Sequence, residues 1–320
     1  MASGGKPDLY EAGRCGRSVH PGESRSRSPS ACVWCGAPFG LSAIRRLGRT
    51  GCASCGAATT DPWPDAVTLE DAYARYRPAA GRFSGVGDAV LRRTRGRLAA
   101  RIDRLAPRGR VLDVGAGDGT LVDALRRRGR SALGLERDSR HESVREGSVS
   151  DVDGEWSAIV FWHSLEHMPE PGLDIERAIA RLGPRGMLFV AVPNTDSLQA
   201  LAFGNRWLHL DLPRHLVHLP AAALIRRIES LGLEPTRVSH WRGGQVIFGW
   251  LHGLVGMMPG RPDLYEAIRI PEARTRPIPP ARRALALGAG LLLFPPAAVA
   301  AAVEVAFGRG GTVYVEARRA

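Results

Sequence analysis

The stretch Val111-Leu-Asp-Val-Gly-Ala-Gly-Asp-Gly-Thr120 constrains this chain more than any other. Val111 to Val114 is apolar and rich in β-branched residues, interrupted only by Asp113, and this predicts a buried strand. Gly115, Gly117 and Gly119 follow at alternate positions, and Thr120-Leu-Val-Asp-Ala-Leu-Arg126 begins a helix. Glycine permits positive φ and lets a ligand approach the backbone closely. A strand, a tight turn and a helix in that order open a parallel α/β sheet. The spacing is not the dinucleotide Gly-x-Gly-x-x-Gly, because Thr120 stands where the third glycine belongs. A second strand, Ser131 to Leu135, ends at Glu136, about 20 residues past the turn, where an acid can take up ribose hydroxyls.

Further apolar runs continue the alternation of strand and helix. Trp156 to Phe161, Met187 to Val192, Pro235 to His240 and Gly311 to Ala317 read as strands. Helices are expected over 69–76, 89–105, 173–182 and 221–231. The second of these carries six arginines (Arg92, Arg93, Arg95, Arg97, Arg101 and Arg104), read as a solvated face rather than an anion patch.

The glycine turn with its spaced acid resembles the S-adenosylmethionine (SAM) site of class I methyltransferases. The resemblance spans roughly 65–240 and 310–318. It implies a Rossmann-like α/β fold with a seven-stranded, doubly wound sheet whose last strand is antiparallel. It also implies a SAM site that includes Asp113, Gly115, Gly117, Gly119 and Glu136. Gly147-Ser-Val-Ser-Asp151 resembles the adenine-contacting segment, so Asp151 is a candidate there. Only ten residues separate Glu136 from Gly147, where a full helix usually fits.

The strand ending at Phe161 runs into Trp162-His163-Ser-Leu-Glu166-His167-Met-Pro169. Ligands bind beyond the carboxyl ends of such strands, which sets His163 toward the cofactor. Leu-Glu-His followed by Pro resembles small-molecule methyltransferases, including the ubiquinone-biosynthesis O-methyltransferases, and makes His167 a catalytic candidate. A metal on His163, Glu166 and His167 is one reading; Glu166 bracing the loop is the other. Asp211-Leu-Pro-Arg214-His215-Leu resembles a segment of bacterial methyltransferases that also carry an N-terminal zinc module. His215 is the preferred base for an acceptor that Arg214 positions, since an imidazole titrates near neutral pH. A purely structural role for the pair, pinning the loop, stands beside that.

Cys32-Val-Trp-Cys35 and Cys52-Ala-Ser-Cys55, 16 residues apart and each followed by glycine, can set four thiolates around one Zn²⁺. A zinc ribbon is expected over 31–60, too small for a core of its own and folded by its metal. Residues 1–30, rich in Gly, Ser, Arg and Pro, are expected to be a disordered tail, with Cys15 and His20 as bystanders. The methyltransferase domain then fills 65–320, with an apolar insertion at 243–307. Thiols in metal-binding pairs and no N-terminal apolar run point to a cytoplasmic protein.

The net charge of +12 invites a nucleic-acid or membrane partner. Lys6 is the only lysine in a chain rich in Ala and Gly, so much of that charge is compositional bias. The Asn/Asp-Pro-Pro-aromatic motif of base N-methyltransferases is absent, and the ribbon lacks interleaved basic and aromatic residues. Nucleic acid is therefore not the expected partner. The expected acceptor is a small hydroxylated molecule or a lipid- or sugar-linked one, methylated on oxygen or carbon. A nucleotide-sugar C-methyltransferase is the alternative, ahead of an RNA-docking enzyme and a SAM-fold scaffold. The insertion holds twenty uncharged residues from Ala284 to Val303, with Pro295-Pro296 near their middle. It is read as a two-armed hairpin dipping into a membrane, with Arg282, Arg283 and Arg309 at its base; burial against the core is the other reading.

Overall fold

The computed structural model describes residues 27–40, 43–74, 85–138, 141–241 and 243–319; the tail with Cys15 and His20 lies outside them as far as residue 26. The first strands of the described residues form a small antiparallel meander, β1 (Arg45–Arg46), β2 (Arg49–Gly51) and β3 (Ala58–Thr60). Helices α1 (Ala66–Ala74) and α2 (Val86–Leu105) lead to β4 (Val111–Val114), buried at all four positions, and α3 (Thr120–Arg126). Next come β5 (Ala132–Glu136), β6 (Val144–Glu146) and β7 (Trp156–Trp162). After them stand α4 (Pro171–Ala180), β8 (Leu182–Pro193), α5 (Leu198–Phe203) and the two-residue β9 (Val217–His218). Then α6 (Ala221–Ser230) and β10 (Leu233–Ser239) precede the insertion, and β11 (Thr312–Arg319) closes the chain.

The main sheet has the order β10-β11-β8-β7-β4-β5-β6. Neighbours from β6 to β8 are parallel, while β11 runs antiparallel to both β8 and β10. This is the seven-stranded, doubly wound arrangement expected, with the antiparallel strand last in sequence. Where a full helix would ordinarily follow Glu136, the short connection holds the three-residue β6, a strand too brief for any periodicity to reveal. The order reverses between β4 and β7, which opens a crevice at their carboxyl ends.

Side chains alternate between two cores. Leu112, Val114, Ile159, Phe161, Leu188 and Val190 face α4 and α6; Val111, Ala158, Val160 and Phe189 face α2 and α3. The expected arginine face of α2 is not wholly solvated. Arg101 makes two bonds of 2.8 Å to the buried Glu316 carboxylate, and Arg95 stacks 5.0 Å over the Trp162 ring.

The ribbon is not a self-contained unit. Cys32, Trp34, Cys52 and Ala57 belong to the same core as α4 and α6, and β3 pairs antiparallel with β9 from the larger domain. A segment too small to bury its own surface thus borrows apolar partners from the sheet. At Gly172, on α4, an added Cβ would fall 2.0 Å from the Trp34 carbonyl oxygen, so only glycine allows this approach.

The insertion is helical: α7 (Gly244–Met257), α8 (Leu264–Ile268), α9 (Pro280–Leu292) and α10 (Phe294–Ala306). The expected break near Pro295-Pro296 is present: α9 and α10 meet there at a bend of 57°. The prolines occupy the first turn of α10, where the missing donors cost no helical bond.

Candidate active site

The glycine loop hangs from β4 and is pinned by its backbone. Gly115 and Ala116 both donate N–H to the Leu135 carbonyl on β5, at 2.8 and 2.9 Å. Gly115 has φ +79, and a Cβ there would lie 2.2 Å from that of Ser164. Gly117 has φ +58 with open space where a Cβ would stand. Glu136 arrives at the loop as its spacing predicts: Oε2 accepts the Gly117 N–H at 2.9 Å, and Oε1 accepts that of Arg137 at 3.0 Å. Asp113 sits behind the loop. Burial pushes its carboxyl up to about 7, and its Oδ1 has no hydrogen-bond partner. Gly119, at φ +71, is the N-cap of α3.

Asp151 is spent on its own turn. Its carboxylate accepts the backbone N–H (2.7 Å) and hydroxyl (2.9 Å) of Ser148, a capping box that lowers the acid below its ordinary value. Ser148, Val149 and Ser150 line the cleft at that turn; Asp151 does not.

Across the cleft, β7 ends at Trp162, and His163 turns the chain with φ 55. Its Nδ1 lies 3.4 Å from Oε1 of Glu166, a fully enclosed acid whose Oε2 has no hydrogen-bond partner and whose carboxyl burial drives upward. The Nδ1–H of His167 donates to the Arg214 carbonyl at 3.0 Å, with the Tyr73 hydroxyl 3.2 Å from the same nitrogen. Burial, reinforced by His215, pushes His167 down to about 4.

His215 is buried and stacks edge-on against His167, ring centres 4.6 Å apart. Its Nδ1–H donates to the His209 carbonyl at 2.9 Å, so Nε2 carries the lone pair. That nitrogen is 3.7 Å from Oδ2 of Asp211, and burial lowers the imidazole below its ordinary value. One atom each from Glu166, His167 and His215 lie within 4.8 Å of one another, a set able to hold a metal ion or share a proton. Arg214 turns its guanidinium back on Asp211, with contacts of 2.6 and 2.7 Å. In this geometry it braces the loop. Gly115, Gly117, Glu136, His163, Glu166, His167, Arg214 and His215 all line one continuous cleft.

Sequence reading missed the residues that hold the histidine loop in place. The Thr60 hydroxyl at the end of β3 donates to the His215 carbonyl at 2.5 Å and meets Nε2 of His218 at 2.9 Å. A hydroxyl has one proton, so His218 must donate through Nε2–H. The Leu216 N–H donates to the Glu166 carbonyl at 2.7 Å, and Thr60 N–H to that of Leu216 at 3.0 Å. Ser164 Oγ closes the other end on the Val114 carbonyl at 2.5 Å. A threonine five residues past a Cys pair, beside a second threonine, carries no motif that announces such a role.

The four ribbon cysteines converge. Sulfurs of Cys32 and Cys55 are 3.8 Å apart, those of Cys35 and Cys52 3.6 Å, and all four lie within 4.8 Å of one another. A tetrahedral ion with Zn–S bonds of about 2.3 Å has edges of about 3.8 Å, so the donor set fits zinc. The Cys55 S–H already pulls the Cys32 thiol well below the usual thiol range.

Comparison with known proteins agrees with this geometry. A family described as a methyltransferase domain matches residues 90–238. Over 162 residues the chain is 30% identical to the ubiquinone biosynthesis O-methyltransferase of Xanthomonas axonopodis pv. citri (strain 306), covering 42% of this chain and 67% of that one. The chain belongs to the class I SAM-dependent methyltransferases. The protein of the same name from Xanthomonas campestris pv. campestris (strain B100) is 30% identical to this methyltransferase over 142 residues, covering 38% and 58% of the two chains. The methyltransferase thus spans 58–67% of the length of these curated relatives. A solved SAM dependent methyltransferase from Archaeoglobus fulgidus matches with 15% identity and TM-score 0.43, over 70% of this chain and 94% of that one.

Proposed function

We propose that this methyltransferase moves the SAM methyl group onto an oxygen of a small hydroxylated acceptor, with His215 as the base. The observation that carries the reading is the shared cleft, which sets the glycine loop and Glu136 opposite Glu166, His167 and His215. The relatives' printed role in ubiquinone biosynthesis supports oxygen as the acceptor atom. SAM, when bound, would supply an activated methyl group, which the acceptor would take as S-adenosylhomocysteine leaves. Gly115, Gly117, Gly119 and Glu136 would hold its ribose and amino-acid portions, with Asp113 behind them and His163 at the strand end. Asp151 serves by keeping the 148–151 turn in shape.

Most of the rate would come from alignment, which contributes about 7–11 kcal/mol when reacting groups are held in place. His215 is suited to take the acceptor proton. Burial keeps the ring neutral near pH 7, and the bond to the His209 carbonyl aims Nε2 away from that carbonyl. Arg214 and Asp211 hold the loop around it. Cys32, Cys35, Cys52 and Cys55 would bind one structural zinc, closed by four thiolates and so without a position for substrate.

The test is SAM turnover against hydroxylated intermediates of ubiquinone biosynthesis, for wild type and His215→Ala. The variant should lose about 10²–10⁴ in kcat with SAM affinity retained. A histidine whose pKa is lowered stays neutral to more acid pH, so the wild-type rate should fall only as pH drops below about 6.5, and this limb should vanish in the variant. Near-normal turnover by His215→Ala would make His215 a structural residue.

A further inference from the structure

Helices α9 and α10 bury their small residues and expose their large ones. Ala286, Ala289, Gly290, Ala297 and Ala301 face inward, against α7 and α8. Leu291, Leu292 and Phe307 stand 81, 74 and 73% exposed, accompanied by Leu285, Phe294 and Val299. A surface helix of a globular protein does the reverse, turning a polar face to water. A grouped apolar surface of this kind marks an interaction site.

We infer that this face seats on an anionic lipid bilayer surface without crossing it. Charge points to the occupant. The only acid in the two helices, Glu304, is buried and turned inward, accepting from Gln199 N–H (3.0 Å), Gln199 Nε2 (2.8 Å) and Trp250 Nε1 (2.9 Å). No exposed carboxylate therefore interrupts the apolar surface. Arginines stand at both ends of the helix pair: Arg282 and Arg283 in the first turn of α9, and Arg309 just beyond α10. Basic side chains beside an apolar face suit phosphate headgroups over acyl chains.

The geometry excludes a crossing. Among the described residues no single helix is long and apolar enough to span a membrane, and α9 and α10 diverge by 57°. Together they reach the length and composition of a span, but only as a bent pair, and the return of the chain decides against a crossing. The insertion also leaves β10 and returns to its direct neighbour β11, so both ends stay on one side. The same insertion walls the cleft through Phe248 and His252 on α7, which brings a lipid-linked acceptor within reach of the site. The seat itself is independent of the proposed chemistry.

The test is sedimentation of the full chain with phosphatidylcholine vesicles, with and without phosphatidylglycerol. Wild type should bind the anionic vesicles at least tenfold more tightly than the neutral ones. Leu291→Glu/Leu292→Glu should lose that binding by tenfold or more while keeping its melting temperature and SAM affinity, because both side chains already face outward. Equal binding to neutral vesicles, or undiminished binding by the double variant, overturns the inference. So does a wild-type dimer that ignores vesicles and becomes monomeric on the same substitution.

Discussion

Thr60→Val tests whether the ribbon sets the position of the catalytic loop. Valine keeps the branched shape that suits strand β3 and removes only the hydroxyl. Two buried groups then lose their partner, the His215 carbonyl and Nε2–H of His218. Each such orphan costs about 1–3 kcal/mol, so the variant should be about 2–4 kcal/mol less stable, allowing for some relaxation. For a chain of 320 residues, at about 2.1 cal/mol/K of unfolding entropy per residue, that lowers Tm by roughly 3–6 °C, readable by calorimetry. Freed from Thr60, the segment from Arg214 to His218 shifts, and a displacement near 1 Å can cost about 10² in rate. At 20 °C, well below either Tm, kcat should therefore drop while SAM affinity, set across the cleft by the glycine loop, stays put. Thr60→Ser restores the hydroxyl and should recover most of the rate. Wild-type kcat in Thr60→Val would refute the reasoning, and so would a loss of SAM affinity in step with kcat, which would mark general disruption.

Two further outcomes follow from the cofactor and zinc sites. Glu136→Ala should weaken SAM binding by about 10- to 100-fold in calorimetry, the equivalent of roughly 1–3 kcal/mol for hydroxyls left without a partner; unchanged affinity would remove Glu136 from the site. Elemental analysis should find about one zinc per chain, lost in Cys52→Ser, and the loss should lower Tm because Cys52 is part of the main core. A metal-free chain with its 31–60 region fully folded would rule the zinc out.

Much of the fold was legible because its signals are local. A buried strand, a glycine turn with positive φ, a helix start and an acid at the next strand's end all lie between Val111 and Glu136, where spacing along the chain is spacing in space. The apolar runs likewise announced β7, β8 and β11, since each buries most of its side chains. The four cysteines declared themselves because metal ligands need fixed residue types. Other features depended on long-range pairing that no window of sequence contains. Three-residue β6 exists because β5 offers it an edge. Asp151 matched a cofactor segment, yet Ser148, three residues away, captured its carboxylate. His215 meets Glu166 and His167 only because β3 from the ribbon pairs with β9, placing Thr60 under a loop more than 150 residues later. The apolar insertion showed its composition in sequence, but only packing decided which side each residue took. Helices α7 and α8 offered close contact to alanine and glycine, and leucine and phenylalanine were left facing outward.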